Sequence, residues 1–459
     1  MIVSVHKSIP KGALTAPASK SYTHRAIFIA ALGKNKCRLY NPLLSADTKS
    51  TMEACRLFGA GIEETEMRDE NGNIETIITV TGFDGKPKVS ETQKMMIDVG
   101  NSGTTLRLMT ALSGLTDEEV TLTGDESIQK RPNTPLLKTL NQMGTEAYSK
   151  NGDGCAPLIV KGKISPGHFS IDGGMSSQFI SALLLSCPLL DGDTTISIDG
   201  DLKSKPYVDI TLEVAEKAGV EIKEYIKWKM KFEKDGTESE EETLIYSTSG
   251  KQTYDLSDYI IPGDFSSTSY LLTAGALIPG ADITVSGLFP SAQGDSAIVE
   301  ILEKAGADIS WDKEKGIIHV KNTDSRKLKG ITWNAGETPD LVPTLAVLGA
   351  FSDGEMKIIN AEHVRFKETD RLKAMATELK KMNVEIEETK DGLVISGEKS
   401  KGKIKGTAVH GWDDHRIVMS LFIAGMMTGD VTIDTADSVK ISYPGFFEDM
   451  KKLGAAFEK

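Results

Sequence analysis

Between positions 365 and 371 the sequence reads Arg365-Phe366-Lys367-Glu368-Thr369-Asp370-Arg371, three cations and two carboxylates ahead of a helical pattern from Leu372 to Met382. Alone, such a run is a solvated charge cluster at a helix start. It has company. Lys20, Arg25, Arg107, Lys130, Arg131, Lys205 and Arg416 recur near the ends of repeated segments elsewhere in the chain. An arginine presents a planar fork that binds an oxyanion through two hydrogen bonds. Cations returning at one place in a repeated architecture shift the balance toward a functional cluster, and a locally basic cleft in an acidic protein leaves phosphorylated small molecules open as ligands. The chain as a whole carries a net charge of −13, which argues against nucleic acid or an anionic membrane as partner. No HExxH and no clustered His/Cys spacing occurs, so no metal site is expected.

The elements that must position these side chains repeat six times. A short amphipathic helix runs into a break and then an alternating strand. The breaks fall at Gly59, Gly144, Gly219, Gly306, Asn383 and Gly454. Glycine and asparagine there suit a helix end that turns left-handed, where other side chains clash. The period of roughly 75 residues exceeds the ~20–50 of a solenoid unit, so each copy reads as a βαβ-type block. Between the break helices lies a second element, a polar cap followed by a strongly apolar helix. Its copies begin near Lys20, Asn101, Ser176, Ser266, Thr338 and Asp413. Helices such as Phe179 to Leu185 and Leu271 to Leu277 are apolar nearly all round and belong at the centre of a core.

Three units occupy the first part of the chain and three the second, giving an α/β protein of two similar lobes of ~200 residues each. The boundaries expected are 18–261 for one lobe, and 1–17 with 262–459 for the other, the strand before Pro17 completing the second. The hinge falls near 15–19 and 260–264. Residues Ile222 to Ser249 break the rhythm and read as a surface hairpin, with Trp228–Phe232 facing Thr243–Tyr246 across a solvated acidic tip, Glu238 to Glu242. Cys37, Cys55, Cys155 and Cys187 form no CxxC pair, which suits buried thiols in a reduced, cytoplasmic chain. Met1 to Lys7 alternates like a strand rather than a signal peptide. Ile417 to Met427, the most apolar stretch, falls short of the ~20 residues of a membrane span, so a soluble protein is expected.

Lys20-Ser21-Tyr22-Thr23-His24-Arg25, Gly100-Asn101-Ser102-Gly103-Thr104-Thr105-Leu106-Arg107, Ser176-Ser177-Gln178, Ser204-Lys205-Pro206-Tyr207, Lys367 to Arg371 and Asp414-His415-Arg416 occur in this order over nearly the whole chain. In that order they resemble the 5-enolpyruvylshikimate-3-phosphate synthase family. The resemblance implies a two-lobed inverse α/β barrel, each lobe made of three βαβαββ repeats. It implies a transferase of the shikimate pathway, in aromatic amino acid biosynthesis. Phosphoenolpyruvate and shikimate 3-phosphate would give 5-enolpyruvylshikimate 3-phosphate and phosphate by addition and elimination. No cofactor is implied, and a monomer is expected.

Carried over by position, Lys20, Arg131, Arg371 and Arg416 would grip phosphoenolpyruvate, with Asn101, Gly103 and Thr104 lining its pocket. Ser176, Ser177, Ser204, His363 and Lys367 would hold the phosphate of shikimate 3-phosphate. Ser21, Arg25, Gln178 and Asp340, with Lys20, would hold its carboxylate and hydroxyls. Asp340 and Glu368, assisted by Lys20, are the acid/base candidates, with the two roles left open between them. Local alternatives stand beside these: Ser176 and Ser177 suit helix caps, Asp340 suits a first helical turn, and His415 sits naturally between carboxylates. Near the C-terminus Ile441 replaces a lysine usual in the family, so either Lys440 swings in or the site has one cation fewer. Like charges about 5 Å apart repel by roughly 3 kcal/mol at an effective dielectric near 20, which predicts lobes open without substrate and closed with it. Rival readings are the related transferase acting on UDP-N-acetylglucosamine, RNA 3′-phosphate cyclase and a non-catalytic binder. The first usually has a loop cysteine, and Glu126 to Asn133 contains none.

Overall fold

The computed structural model describes residues 1–68, 74–89, 95–232, 238–323 and 327–459. Six four-stranded sheets share one pattern of pairing. In one of them Met95–Asp98 runs parallel to Glu119–Thr123, which pairs antiparallel with Leu158–Lys161, which pairs antiparallel with Glu146–Ser149. The parallel pair needs a crossover, and the helix Gly103–Leu112 supplies it. The helix Thr134–Gln142 precedes the closing hairpin, completing a βαβαββ unit.

Two units take their first strand from across the chain. Lys11–Thr15 lies parallel to Asp282–Ser286, so the strand before Pro17 joins the sheet of the later repeat. In return Tyr259–Ile260 lies parallel to Lys36–Tyr40. Val3–His6 sits between Val431–Ile433 and Ala456–Glu458 and finishes the last sheet.

The six breaks have one conformation. Gly59, Gly144, Gly219, Gly306, Asn383 and Gly454 all have positive φ, between 66° and 102°. After each break helix the chain must reverse into a strand, and a left-handed residue does this without a Cβ clash. The other helices lie inside. All 13 residues of Phe265–Leu277 and all nine of Val342–Ala350 are buried, as are most of His415–Thr428. The apolar stretch Ile417 to Met427 is therefore core, and among the described residues no helix is long and apolar enough to cross a membrane. Strands such as Glu355–Ile359 and Glu119–Thr123 alternate between buried and half-buried or exposed residues, presenting one face to the buried helices of their own unit.

By contacts the chain forms two compact units. One holds Met1–Lys20, Leu43–Ser45 and Pro262–Lys459, the other Ser21–Pro42 and Ala46–Ile261. The hairpin exists but its acidic run is not the tip. Lys223–Phe232 pairs with Glu238–Thr248, and the register sets Trp228 opposite Glu242 and Phe232 opposite Glu238. Asp235-Gly236 is a stronger turn signal than a charge run. The residues joining the two strands, 233–237, lie outside the described ones.

Candidate active site

Folding divides the Arg365–Arg371 run in two. Arg365 pairs with Asp370 at 2.8 Å and Glu388 at 2.6 Å, and Asp370 caps the helix Arg371–Lys381 by accepting from the Lys373 N–H. That part is structural. Arg371, 1% exposed, is not: its Nη1 lies 2.7 Å from Asp340 Oδ1, its Nη2 2.6 Å from Glu368 Oε2 and its Nε 2.8 Å from Asp414 Oδ2. Asp340 Oδ2 receives Arg416 Nη2 at 2.9 Å, and Lys367 Nζ stands 4.0 Å from Asp340 Oδ1.

Three segment ends meet here. Asp340 sits on the turn Pro339–Leu341 that opens a buried helix, and its carboxylate faces the two arginines rather than serving as a cap. Asp414 caps the helix His415–Thr428 by accepting from the Arg416 N–H at 2.8 Å. Burial works against the charge on Arg371, but Asp414, Glu368 and Asp340 outweigh it and hold the guanidinium above its ordinary pKa. The buried His415 imidazole is pushed well down by burial and then by Lys20, against Glu368, so it is neutral and not an ion-pair partner. Lys20 is thereby within electrostatic reach of the cluster. Asp295 lies behind it, hydrogen-bonded by Ser266. Burial and the neighbouring Asp340 raise its carboxyl to about 7, with Arg416 opposing.

The other unit gathers a second group. Ser102 and Ser176 cap the helices Gly103–Leu112 and Ser177–Ser186, so the cap named as an alternative at Ser176 is real, while Ser177 is the first residue of its helix and not a cap. Arg107 Nη1 donates to Gln178 Oε1 at 2.6 Å and to Ser176 Oγ at 3.3 Å, and Gln178 Nε2 donates to Thr104 Oγ1 at 2.8 Å. Arg131 Nη2 donates to Asn101 Oδ1 at 3.2 Å and to Ser127 Oγ at 2.9 Å. A Cβ on Gly103 would stand 2.8 Å from Arg131 Nη1, so only glycine lets this guanidinium lie across the helix start. The helix N-termini and the cations together favour an anion.

The remaining candidates are more dispersed. Arg25 is buried, and all three of its nitrogens donate to protein oxygens, on Ser21, Ser181, Thr211 and Tyr207. Burial brings its pKa down to about 10. Ser204 is buried with φ 58° just before the helix Pro206–Lys217. His363 is buried on the turn Glu362–Phe366. Lys440 is mostly exposed and pairs with Asp437 at 3.2 Å, so it is not among the cations around Asp340. Sequence reasoning counted Arg107 among the recurring cations but gave it no role, and left Asp414 and Asp295 out of the site. Arg107 had a usable signal, since it lies one turn beyond Gly103 on the same helix face. Among the described residues no three His, Cys, Asp or Glu stand together as a metal site.

A family model described as EPSP synthase (3-phosphoshikimate 1-carboxyvinyltransferase) matches residues 7–450. A 3-phosphoshikimate 1-carboxyvinyltransferase of Methanosarcina acetivorans is 54% identical over 459 residues, covering 100% of this chain and 99% of that one. One from Methanococcoides burtonii is 52% identical, over 99% and 98% of the two chains. The structure of EPSP synthase from Acinetobacter baumannii superposes with a TM-score of 0.77 at 26% identity, covering 100% of this chain and 99% of that one.

Proposed function

The chain belongs to the EPSP synthase family, and from that premise we propose that it transfers the enolpyruvyl group of phosphoenolpyruvate to the 5-hydroxyl of shikimate 3-phosphate, releasing phosphate. The observation that carries this reading is the ion network on Asp340. Two buried arginines at 2.7 and 2.9 Å and a lysine at 4.0 Å converge on one carboxylate, with Glu368 alongside. Such cations are held in place before substrate arrives and can exchange a protein carboxylate for the carboxylate or phosphate of the donor.

In this reading Arg371, Arg416, Lys20 and Arg131 bind phosphoenolpyruvate, with Asn101, Gly103 and Thr104 beside Arg131. Lys367, His363, Ser176, Ser177 and Ser204 take the shikimate phosphate, and Ser21, Arg25, Gln178 and Asp340 its ring and carboxylate. Arg25 would engage the ring by exchanging one of its protein oxygens. Arg107 orients Gln178. The donor methylene gains a proton as the 5-hydroxyl adds to C2; the tetrahedral adduct then loses phosphate and a methyl proton. Asp340 and Glu368 serve as the acid/base pair, and Arg371 bridges them, so a proton moved at one carboxylate is felt at the other. The unit made mainly of residues 21–261 binds mostly shikimate 3-phosphate and the other completes the donor site, the two closing on the substrates and excluding water. A cytoplasmic monomer completes the proposal; the four buried free thiols suit a reducing compartment.

Phosphate release from phosphoenolpyruvate tests this reading. Release with shikimate 3-phosphate is expected, none with UDP-N-acetylglucosamine, and a fall of roughly 10²–10⁴-fold in kcat for Glu368→Gln. Absence of release with shikimate 3-phosphate overturns the reading.

A further inference from the structure

Glu378 lies seven residues beyond Arg371 on the helix Arg371–Lys381, which puts both on one face. It is 1% exposed, and it belongs to none of the substrate contacts above. Its Oε2 accepts from the backbone N–H of His410 at 2.9 Å and its Oε1 from the indole N–H of Trp412 at 2.9 Å. Lys381 Nζ, 2.7 Å from Oε2, balances the charge. Both carboxylate oxygens are thus engaged with the segment that leads into Asp414–Arg416.

That segment turns sharply. Asp414 N donates to Gly411 O at 3.1 Å, and the two residues between, Trp412 and Asp413, have φ of 57° and 51°. This is the arrangement of a type I′ turn, whose central positions ordinarily hold asparagine and glycine. A tryptophan there is out of place. A Cβ on Gly411 would meet Asp434 O, Thr435 Oγ1 and Val418 Cγ2, each at 2.5 Å, so the turn is confined on that side. Asp434 Oδ1 accepts from Gly411 N at 2.8 Å and pairs with His410 Nδ1 at 2.7 Å, and Thr435 Oγ1 accepts from Asp413 N at 3.1 Å. A strained turn persists only when its surroundings over-determine it. Glu378 grips it from the helix that carries Arg371.

We propose that Glu378 is a positioning residue that sets the turn 410–414, and through it Asp414 and Arg416, against Arg371 and Asp340. The inference rests on the functional reading above. One helix holds the turn at two points: Arg371 takes the Asp414 carboxylate at 2.8 Å, and Glu378 takes the backbone and side chain just upstream. Loosening the upstream point removes no cation from the chain but lets Arg416 drift from the donor phosphate or carboxylate.

Steady-state phosphate release tests this, with each substrate varied in turn, in wild type, Glu378→Gln, Trp412→Phe and Glu378→Gln with Asp413→Gly. Glutamine keeps the size of the side chain but turns an NH2 toward one of the two N–H donors. For Glu378→Gln the KM for phosphoenolpyruvate is expected to rise about 10-fold, with the KM for shikimate 3-phosphate within about 2-fold of wild type. Asp413→Gly should recover part of the loss, because glycine adopts positive φ freely. An equal rise in both KM values, or wild-type constants, overturns the proposal. Should Glu378→Gln fail to fold, Trp412→Phe carries the test alone. It removes the indole N–H that Glu378 accepts while keeping an aromatic ring at the position, the same split is expected, and its absence refutes the role. A wild-type chain that releases no phosphate from this pair overturns the functional reading, and this inference with it.

Discussion

Asp295 offers a quantitative check on the electrostatics of the site. Its carboxyl is bonded by Ser266 Oγ and flanked by Asp340, Arg416 and Asp264, and burial, with Asp340 adding to it, pushes it up from 3.8 to about 7. A folded-state pKa above the unfolded one contributes stability that is fully present below the unfolded value. That contribution is lost as pH rises through the folded one. Here the window runs from about pH 4 to about pH 7. At about 1.4 kcal/mol per tenfold, the whole loss is on the order of 4 kcal/mol. Asp295→Asn cannot ionise, yet its amide oxygen can still accept from Ser266, so the variant escapes this loss. The assay is paired thermal melts of wild type and Asp295→Asn at steps from pH 4.5 to pH 8.5. The Tm of the variant relative to wild type should climb through this range and level off above about pH 8. A difference that stays flat with pH, or shrinks as pH rises, refutes the reasoning.

Other expectations follow from the same geometry. Gly103→Ala places a methyl 2.8 Å from Arg131 Nη1, so the guanidinium must move. The fold should survive because a side-chain tip yields, while the KM for phosphoenolpyruvate rises by about 10-fold, as initial rates would show. Arg371→Leu leaves Asp340, Glu368 and Asp414 without their shared cation and should lower stability by about 3–5 kcal/mol in denaturant titration, besides abolishing turnover. Small-angle scattering should show a smaller radius of gyration with both substrates bound than with neither, and an unchanged radius would count against closure.

Local chemistry was legible in the sequence and non-local packing was not. The six breaks announced themselves because a left-handed helix end is decided by one residue, and Gly59 through Gly454 meet that need without help from the rest of the chain. The caps Ser102, Ser176 and Asp414 were visible for the same reason. For the Phe265–Leu277 helix, however, the cap is Asp264, whose side chain accepts from Ser267 N, while Ser266 turns to Asp295. Arg365 and Arg371 are the same residue type six positions apart. Nothing in that run says that one will hold Asp370 at the surface and the other Asp340 in the interior. Glu378 reads as an ordinary acid on an amphipathic helix and Asp295 as one on the turn ahead of another, and their partners lie 32 to 34 and 29 residues away in sequence. The acidic strand Glu238 to Glu242 misled because charge density resembles a loop, whereas register is set by the turn and the pleat.

The exchanged strands have a consequence for how the chain is made. Val3 pairs with Ile433, and Lys11 with Asp282, so these two strands leave the ribosome long before their partners and find their places late. At about 5–20 residues per second, Val3–His6 waits on the order of half a minute or more for its sheet to be synthesised. Meanwhile the unit closed by Tyr259–Ile260 already has every strand it needs. Nascent chains stalled beyond that point should contain one protease-resistant unit and an amino-terminal arm still open to cleavage.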